Sequence, residues 1–213
     1  MDEVRYTLLT DGAGDRTLMP VLRWLLIEAG VQAAIQGQWA DLRRLRNPPR
    51  KLSERIVHAV RLFDCDLLFI HRDAEAQEPR HRFQEISEAI ALGSKTILIP
   101  PHLPVVPVRM TEAWLLFDED ALRRASGNPN GRIPLQIPPR SQWEAIPDPK
   151  RVLHAAITDA TELSSRRRAQ FSPSSAVERI AEHVETFSPL RGIAAFDALE
   201  TSVRGIVAQQ GWA

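Results

Sequence analysis

Asp66-Leu67-Leu68-Phe69-Ile70-His71-Arg72-Asp73-Ala74-Glu75 is the stretch that decides how this chain is read. Its apolar run is too short for a helix and rich in Leu, Phe and Ile, which is the composition of a buried strand in an α/β sheet. At its C-terminal end the run turns abruptly to charge. If the extended geometry continues, Asp73 and Glu75 leave the same face, because strand side chains alternate. Two carboxylates on one face repel each other unless a cation, a proton or a basic side chain lies between them. The C-terminal ends of strands are also where open α/β sheets bind ligands. An isolated Asp-x-Glu is more often a merely acidic loop; a second acidic strand end, earlier in the chain, argues for a site.

That earlier end is Asp11-Gly12-Ala13-Gly14-Asp15, which follows a first strand within Val4 to Thr10. Leu18, Val21, Leu22, Leu25 and Leu26 then recur at helical spacing, so the order is strand, acidic turn, helix. This turn has neither the Gly-Lys-Ser/Thr of a P-loop nor the Gly-x-Gly-x-x-Gly of a dinucleotide site. Further along, Val31 to Ile35 reads as a second strand, and a basic segment follows around Asn47-Pro48-Pro49 (Arg43, Arg44, Arg46, Arg50, Lys51). Leu52, Ile56, Val57, Val60 and Phe63 mark a helix leading into the central strand. Phe83 to Ile90 forms another helix, Gly93 ends it, and Thr96 to Ile99 supplies a further strand. This alternation predicts an α/β fold with a mainly parallel sheet and flanking helices through about residue 100.

Beyond that point prolines accumulate, and Val105 to Arg109 reads as an edge strand, where proline is tolerated. Thr111 to Asp118 is a short amphipathic turn or two of helix. Residues 127–149 form a proline-rich loop or insertion, and Asp148-Pro149 is an N-cap followed by proline at the first helical position. Val152 to Ile157, Val177 to Val184 and Phe196 to Ile206 each repeat helically. The expected organisation is an α/β core over 1–126, the loop over 127–149, and a helical C-terminal region over 150–213 that packs on the core.

The 213 residues carry 27 acidic and 27 basic side chains, so no global field advertises a polyanionic partner; any such binding rests on local patches. The single cysteine, Cys65, excludes an internal disulfide and a cysteine-based zinc site. With no signal-like start and no apolar run near the roughly 20 residues that span a bilayer, the chain reads as soluble and cytoplasmic.

The two acidic stretches, Leu8 to Asp15 and Ile70 to Glu75, resemble the paired acidic motifs of the Toprim fold, the first normally a Glu-Gly turn and the second an Asp-x-Asp. Val106 to Asp118, with its Glu-Ala-Trp-Leu-Leu segment, and Ile146-Pro147-Asp148-Pro149-Lys150 are similar to a Toprim-related bacterial family whose members often sit beside an ATPase of the ABC/AAA type. That arrangement resembles a split version of the overcoming-lysogenization-defect nucleases of phage defence, and it covers roughly residues 4–210. The resemblance implies a Toprim-like core, a metal-dependent nuclease subunit acting on DNA or RNA, and an ATPase partner with which it forms an oligomer. The chain departs from the pattern at Asp11, which stands in the glutamate position and reaches one methylene less far.

The resemblance places Asp11, Asp73 and Glu75 in catalysis, and Asp11, Asp15, Asp73, Glu75 and Glu112 around two Mg²⁺ or Mn²⁺ ions. Phosphodiester hydrolysis needs an activated water and a clamp on the leaving oxygen, and two ions about 3.5 to 4 Å apart supply both. Hard cations prefer oxygen ligands, which fits a carboxylate cluster. Glu112 is equally a helix N-terminal residue favoured by the dipole. For phosphate contact the candidates are Arg72, Lys150 and the run Arg166-Arg167-Arg168, although charge runs are more often solvated. His71 could contact phosphate or be a strand-end residue satisfied by backbone. Trp24, Trp39, Trp114 and Trp143 are not spaced as a stacking platform and read as core. A catalytically degenerate Toprim-like subunit that docks a partner ATPase is the alternative function.

Overall fold

The computed structural model describes residues 2–75, 77–108 and 110–213. Four strands, β1 (Glu3–Leu9), β2 (Ala34–Trp39), β3 (Leu67–His71) and β4 (His102–Val105), pair entirely in parallel in the order β2-β1-β3-β4. Their crossovers are α1 (Leu18–Glu28), α2 (Leu52–Leu62) and α3 (Pro79–Gly93). The C-terminal half is helical: α4 (Glu119–Ser126), α5 (Pro149–Ala160), the single turn α6 (Ser165–Arg168), α7 (Pro173–Ile180) and α8 (Ala194–Gln210). No helix among the described residues is long and apolar enough to cross a membrane.

Period-two alternation in the central strands sorts the helices between two faces. Val4, Tyr6 and Leu8 of β1 and Leu67 and Phe69 of β3 share one buried cluster with α1, α4, α5, α7 and α8. Leu9, Leu68 and Ile70 face the other way, onto Ile56 and Ala59 of α2 and Ile86 and Ala89 of α3. Every residue of β3 is buried, as expected of a central strand covered on both sides. The helical C-terminal region thus completes the α1 side of the sheet. Phe196 in α8 is fully buried and meets Trp114 edge-to-face at 5.5 Å.

The edges depart from the expected boundaries. At Val31 the backbone still closes α1 by donating to Leu26 O, and the strand begins three residues later, where Glu3 to Leu8 offers partners to Ala34 through Trp39. Ala-Ile-Gln-Gly-Gln-Trp has little apolar pattern because one of its edges faces solvent. No strand forms over Thr96 to Ile99: the N–H groups of Thr96 and Ile97 are spent on Gly93 O at the end of α3, and Leu98 is 90% exposed. The ladder resumes at His102, with Pro104 on the sheet edge. The expected edge strand over Val105 to Arg109 therefore overlaps β4 only at Val105, and Arg109 lies outside the described residues.

Residues 111–115 form a 3₁₀ turn, and the 127–149 loop contains a second one, Arg140–Ala145, whose Trp143 is buried and donates its indole N–H to Pro138 O. Asp148 caps α5 as expected, accepting from Arg151 N–H at 2.9 Å. Because Phe196 joins α8 to the sheet-side core, Phe196→Ala is expected to cost about 3–5 kcal/mol. In urea titrations this appears as a lower midpoint with an unchanged slope; an unshifted midpoint contradicts the packing.

Candidate metal centre

The strand order reverses between β1 and β3: the chain leaves β1 for β2 on one side and then crosses to β3 on the other. Such a switch point leaves a crevice at the C-terminal strand ends, and here both acidic stretches empty into it. The crevice is a cleft of about 410 Å³ lined by Asp11 to Asp15, His71 to Asp73, Glu75, Arg82, Met110, Glu112 and Lys150.

His71 lies at its floor. As the last residue of β3 it has the parity of Leu67 and Phe69, so its ring points to the α1 side, where a 3₁₀ turn (Gly14–Thr17) carries Asp15. The ring is buried between two carboxylates. Nε2 lies 3.2 Å from Asp73 Oδ1 and 3.0 Å from Thr111 Oγ1, and Nδ1 lies 3.5 Å from Asp15 Oδ2. Asp15 is oriented by the Gly12 N–H at 2.9 Å, and Asp73 by the Thr111 N–H at 3.1 Å.

Burial works against a charged imidazole, but the hydrogen bonds and charges of Asp15 and Asp73 outweigh it and lift the His71 pKa to about 9. For Asp15, burial pushes upward; the bond and charge of His71, the Gly12 amide and the charge of Lys150 win and hold it below the usual range. Glu112 goes the other way: burial, with help from the nearby Asp73 charge, raises its pKa.

Asp15, His71 and Asp73 each present a ligand atom within 4.8 Å of the other two, a spacing at which one ion can be shared. The buried His71 Nδ1 meets only Asp15 Oδ2, at 3.5 Å, the long limit of a hydrogen bond and a weak partner for a buried nitrogen. When the neutral ring keeps its proton on Nε2, toward Asp73 and Thr111, Nδ1 turns a lone pair toward Asp15, as a metal ligand requires. Two carboxylates and an imidazole with ligand atoms this close form a group that could hold a divalent cation.

No family model, curated protein or solved structure matches this chain.

The remaining sequence-derived candidates fall into three groups. Asp11 lines the cleft but is engaged by two cations, Arg55 and, at 2.9 Å, Arg72 Nε. Glu75 also lines it, yet β3 has ended at His71 and Glu75 adopts a left-handed backbone (φ 54°), so the alternation that would put it on the face of Asp73 does not reach it. Its carboxylate is largely exposed and 3.9 Å from Arg82. Glu112 sits in the first turn of Thr111–Leu115, and exposed Lys150 stands at the start of α5. Arg166, Arg167 and Arg168 form the exposed turn α6, outside the cleft lining, with Arg168 3.3 Å from Asp159.

Sequence reasoning did not single out Thr111, Arg55, Arg82 or the central role of His71. Arg55 comes from α2 and also donates to Thr10 O, while Arg82 comes from α3 and donates to Asp73 O at 2.9 Å. Both lie on the inner faces of their helices, Arg55 one turn before buried Ala59 and Arg82 one turn before buried Ile86, with side chains only 15% and 14% exposed, so no polar-face periodicity marks them in the sequence.

A histidine whose pKa rises from about 6.5 unfolded to about 9 folded contributes stability that is complete below pH 6.5 and is lost as pH rises through 9. The loss is on the order of 3 kcal/mol at most. Thermal melts in EDTA at pH 6.5 and 9.5 should show this alkaline drop in the wild type and a much smaller one in His71→Gln; parallel drops contradict the buried imidazolium.

Proposed function

We propose that this chain is a metal-dependent phosphodiesterase acting on nucleic acid, a Toprim-type nuclease subunit. The observation that carries this reading is the Asp15–His71–Asp73 cluster at the switch point of a parallel sheet, with Arg72, Arg82 and Lys150 around the same cleft. A carboxylate cluster alone repels a phosphodiester. A divalent ion bound there would supply the missing positive charge and a water that ionises near neutral pH. Asp15, His71 and Asp73 would hold it, and an imidazole in the set suits Mn²⁺ better than Mg²⁺.

The other roles belong to the protein's own groups. Arg82 and Lys150 are positioned to draw a phosphate into the cleft and to neutralise charge that grows on its oxygens. Glu112, its pKa raised by burial, retains a proton closer to neutral pH than an exposed carboxyl and is suited to protonate the leaving oxygen. To serve as a ligand His71 would give up its imidazolium proton, so metal binding would be accompanied by proton release and would strengthen as pH rises.

The sequence carries neither the Gly-Lys-Ser/Thr of a P-loop nor a Gly-x-Gly-x-x-Gly turn. In the reading from resemblance it is the effector of an ATPase-coupled phage-defence system and takes its control from an ABC/AAA-type partner. A second reading, a degenerate Toprim-like subunit that docks such an ATPase, is favoured by two features. Asp11, in the family's glutamate position, is already paired with Arg55 and Arg72, and the His71 imidazolium lies between the other two carboxylates.

The two readings diverge at the metal. The nuclease reading expects Mn²⁺ binding by calorimetry with proton release and Mn²⁺-dependent cleavage, both abolished in a folded Asp73→Ala. Unchanged cleavage by that variant rules the site out, and no Mn²⁺ binding by the wild type selects the degenerate subunit. Glu112→Gln should lower kcat by about 10²-fold or more while leaving Mn²⁺ affinity in place. The purified chain alone should not turn over ATP, and robust hydrolysis would overturn the assignment of that step to a partner.

A further inference from the structure

A second, narrower cavity of about 210 Å³ adjoins the metal cleft, and Asp11 and Gly12 line both. It is walled by Trp39 at the end of β2, by Pro48 and Pro49, and by Arg43, Arg50 and Arg55. The wall is stiff: both prolines have fixed φ, and the Trp39 indole N–H donates to Thr10 Oγ1 at 3.0 Å, which in turn donates to Gly12 O at 2.8 Å. The Trp39 ring is thus tied by two hydrogen bonds to the turn that carries Asp15.

A planar cation already lies over that ring, the Arg43 guanidinium 5.1 Å from its centroid. The two acids of the cavity are neutralised, Asp41 by Arg43 and Arg44 at 2.7 and 3.0 Å and Asp11 by Arg55 and Arg72. Arg50 is exposed and makes no ion pair or hydrogen bond among the described residues. The cavity therefore offers a stacking surface and an unspent positive charge next to a cleft suited to phosphate chemistry. Beyond Trp39 a third cavity balances Glu178 and Glu182 against Arg16 and Arg179, so it offers a phosphate chain no net positive charge comparable to that of Arg50.

We propose that this cavity is a subsite for one unpaired nucleotide next to the scissile phosphate, which makes the preferred substrate single-stranded nucleic acid. The proposal rests on the phosphodiesterase reading of the adjoining cleft. The Trp39–Arg43 pair takes the base and Arg50 the phosphate. A duplex buries the faces of its bases in its own stack, so only an unstacked base can be offered to an indole or guanidinium plane. The prolines add selectivity at little entropic cost, because the wall is formed before the strand arrives.

Fluorescence anisotropy with labelled oligomers of about 10 nucleotides, in EDTA, reads the subsite without any hydrolysis. Deoxy- and ribo-oligomers are each compared with their duplexes. The expected result is at least 10-fold tighter binding of the single strand in one or both sugars. Arg50→Ala should weaken it several-fold and reduce the slope of log affinity against log salt by about 0.7. Trp39→Leu should weaken it about 5-fold or more, and Trp39→Phe, which keeps an aromatic face, should restore most of that loss. Equal binding of single strand and duplex, or superimposable curves for wild type and Arg50→Ala, overturns the subsite. Since Arg50 is exposed, that variant decides the matter even if Trp39→Leu fails to fold. Failure of the nuclease reading shows separately, as absent Mn²⁺-dependent cleavage by a wild type that still binds the strand.

Discussion

A buried histidine held between two aspartates is the contact on which the site depends. His71 cannot be charged at that depth without Asp15 and Asp73, and the two carboxylates cannot lie so close in a low-dielectric floor without a cation between them. The three groups are therefore a unit, and their geometry is fixed from outside by amides: Gly12 holds Asp15, and Thr111 holds Asp73. Each amide comes from a different segment, so the unit also pins the first turn, the end of β3 and the Thr111–Leu115 turn to one another. A proton on the imidazole and a divalent ion are alternative ways of meeting the same electrostatic demand.

The sheet order gives this unit its location. In the order β2-β1-β3-β4 the two central strands are β1 and β3, and from their C-terminal ends the chain diverges, toward β2 on one side and β4 on the other. The divergence opens a crevice between elements that are otherwise close-packed. Around its mouth the arginines form a frame: Arg55 and Arg72 converge on Asp11, while Arg72 and Arg82 converge on Glu85. The frame neutralises the rim acids, so the protein's zero net charge does not preclude local attraction of an anion.

Much of the core was legible because it is local and periodic. Tyr6 and Leu8 alternate with Thr7 and Leu9, the five residues of β3 are short and uniformly buried, and Asp148-Pro149 announces α5 through two residues of cap chemistry. The edges were legible only in part. At β2 and β4 an edge strand needs little apolar pattern, so pairing partners, rather than composition, decide where it begins; Thr96 and Ile97 look like a strand but spend their amides on Gly93 O.

At the site the sequence by itself determined that carboxylates follow two strands, since Asp15 and Asp73 lie within a few residues of β1 and β3 and cannot be far from their ends. Tertiary structure decided which charged groups meet. The left-handed turn at Glu75 ends the alternation that would have aligned it with Asp73. Asp11, as close in sequence as Asp15, is drawn to Arg55 and Arg72, whereas Asp15 is carried over His71 by the 3₁₀ turn before α1. Thr111 arrives from 40 residues away to share a histidine nitrogen. Strand and helix periods act over a few residues and are written in the chain; a buried ion cluster balances desolvation against partners from distant segments, and only the packed fold brings those partners together.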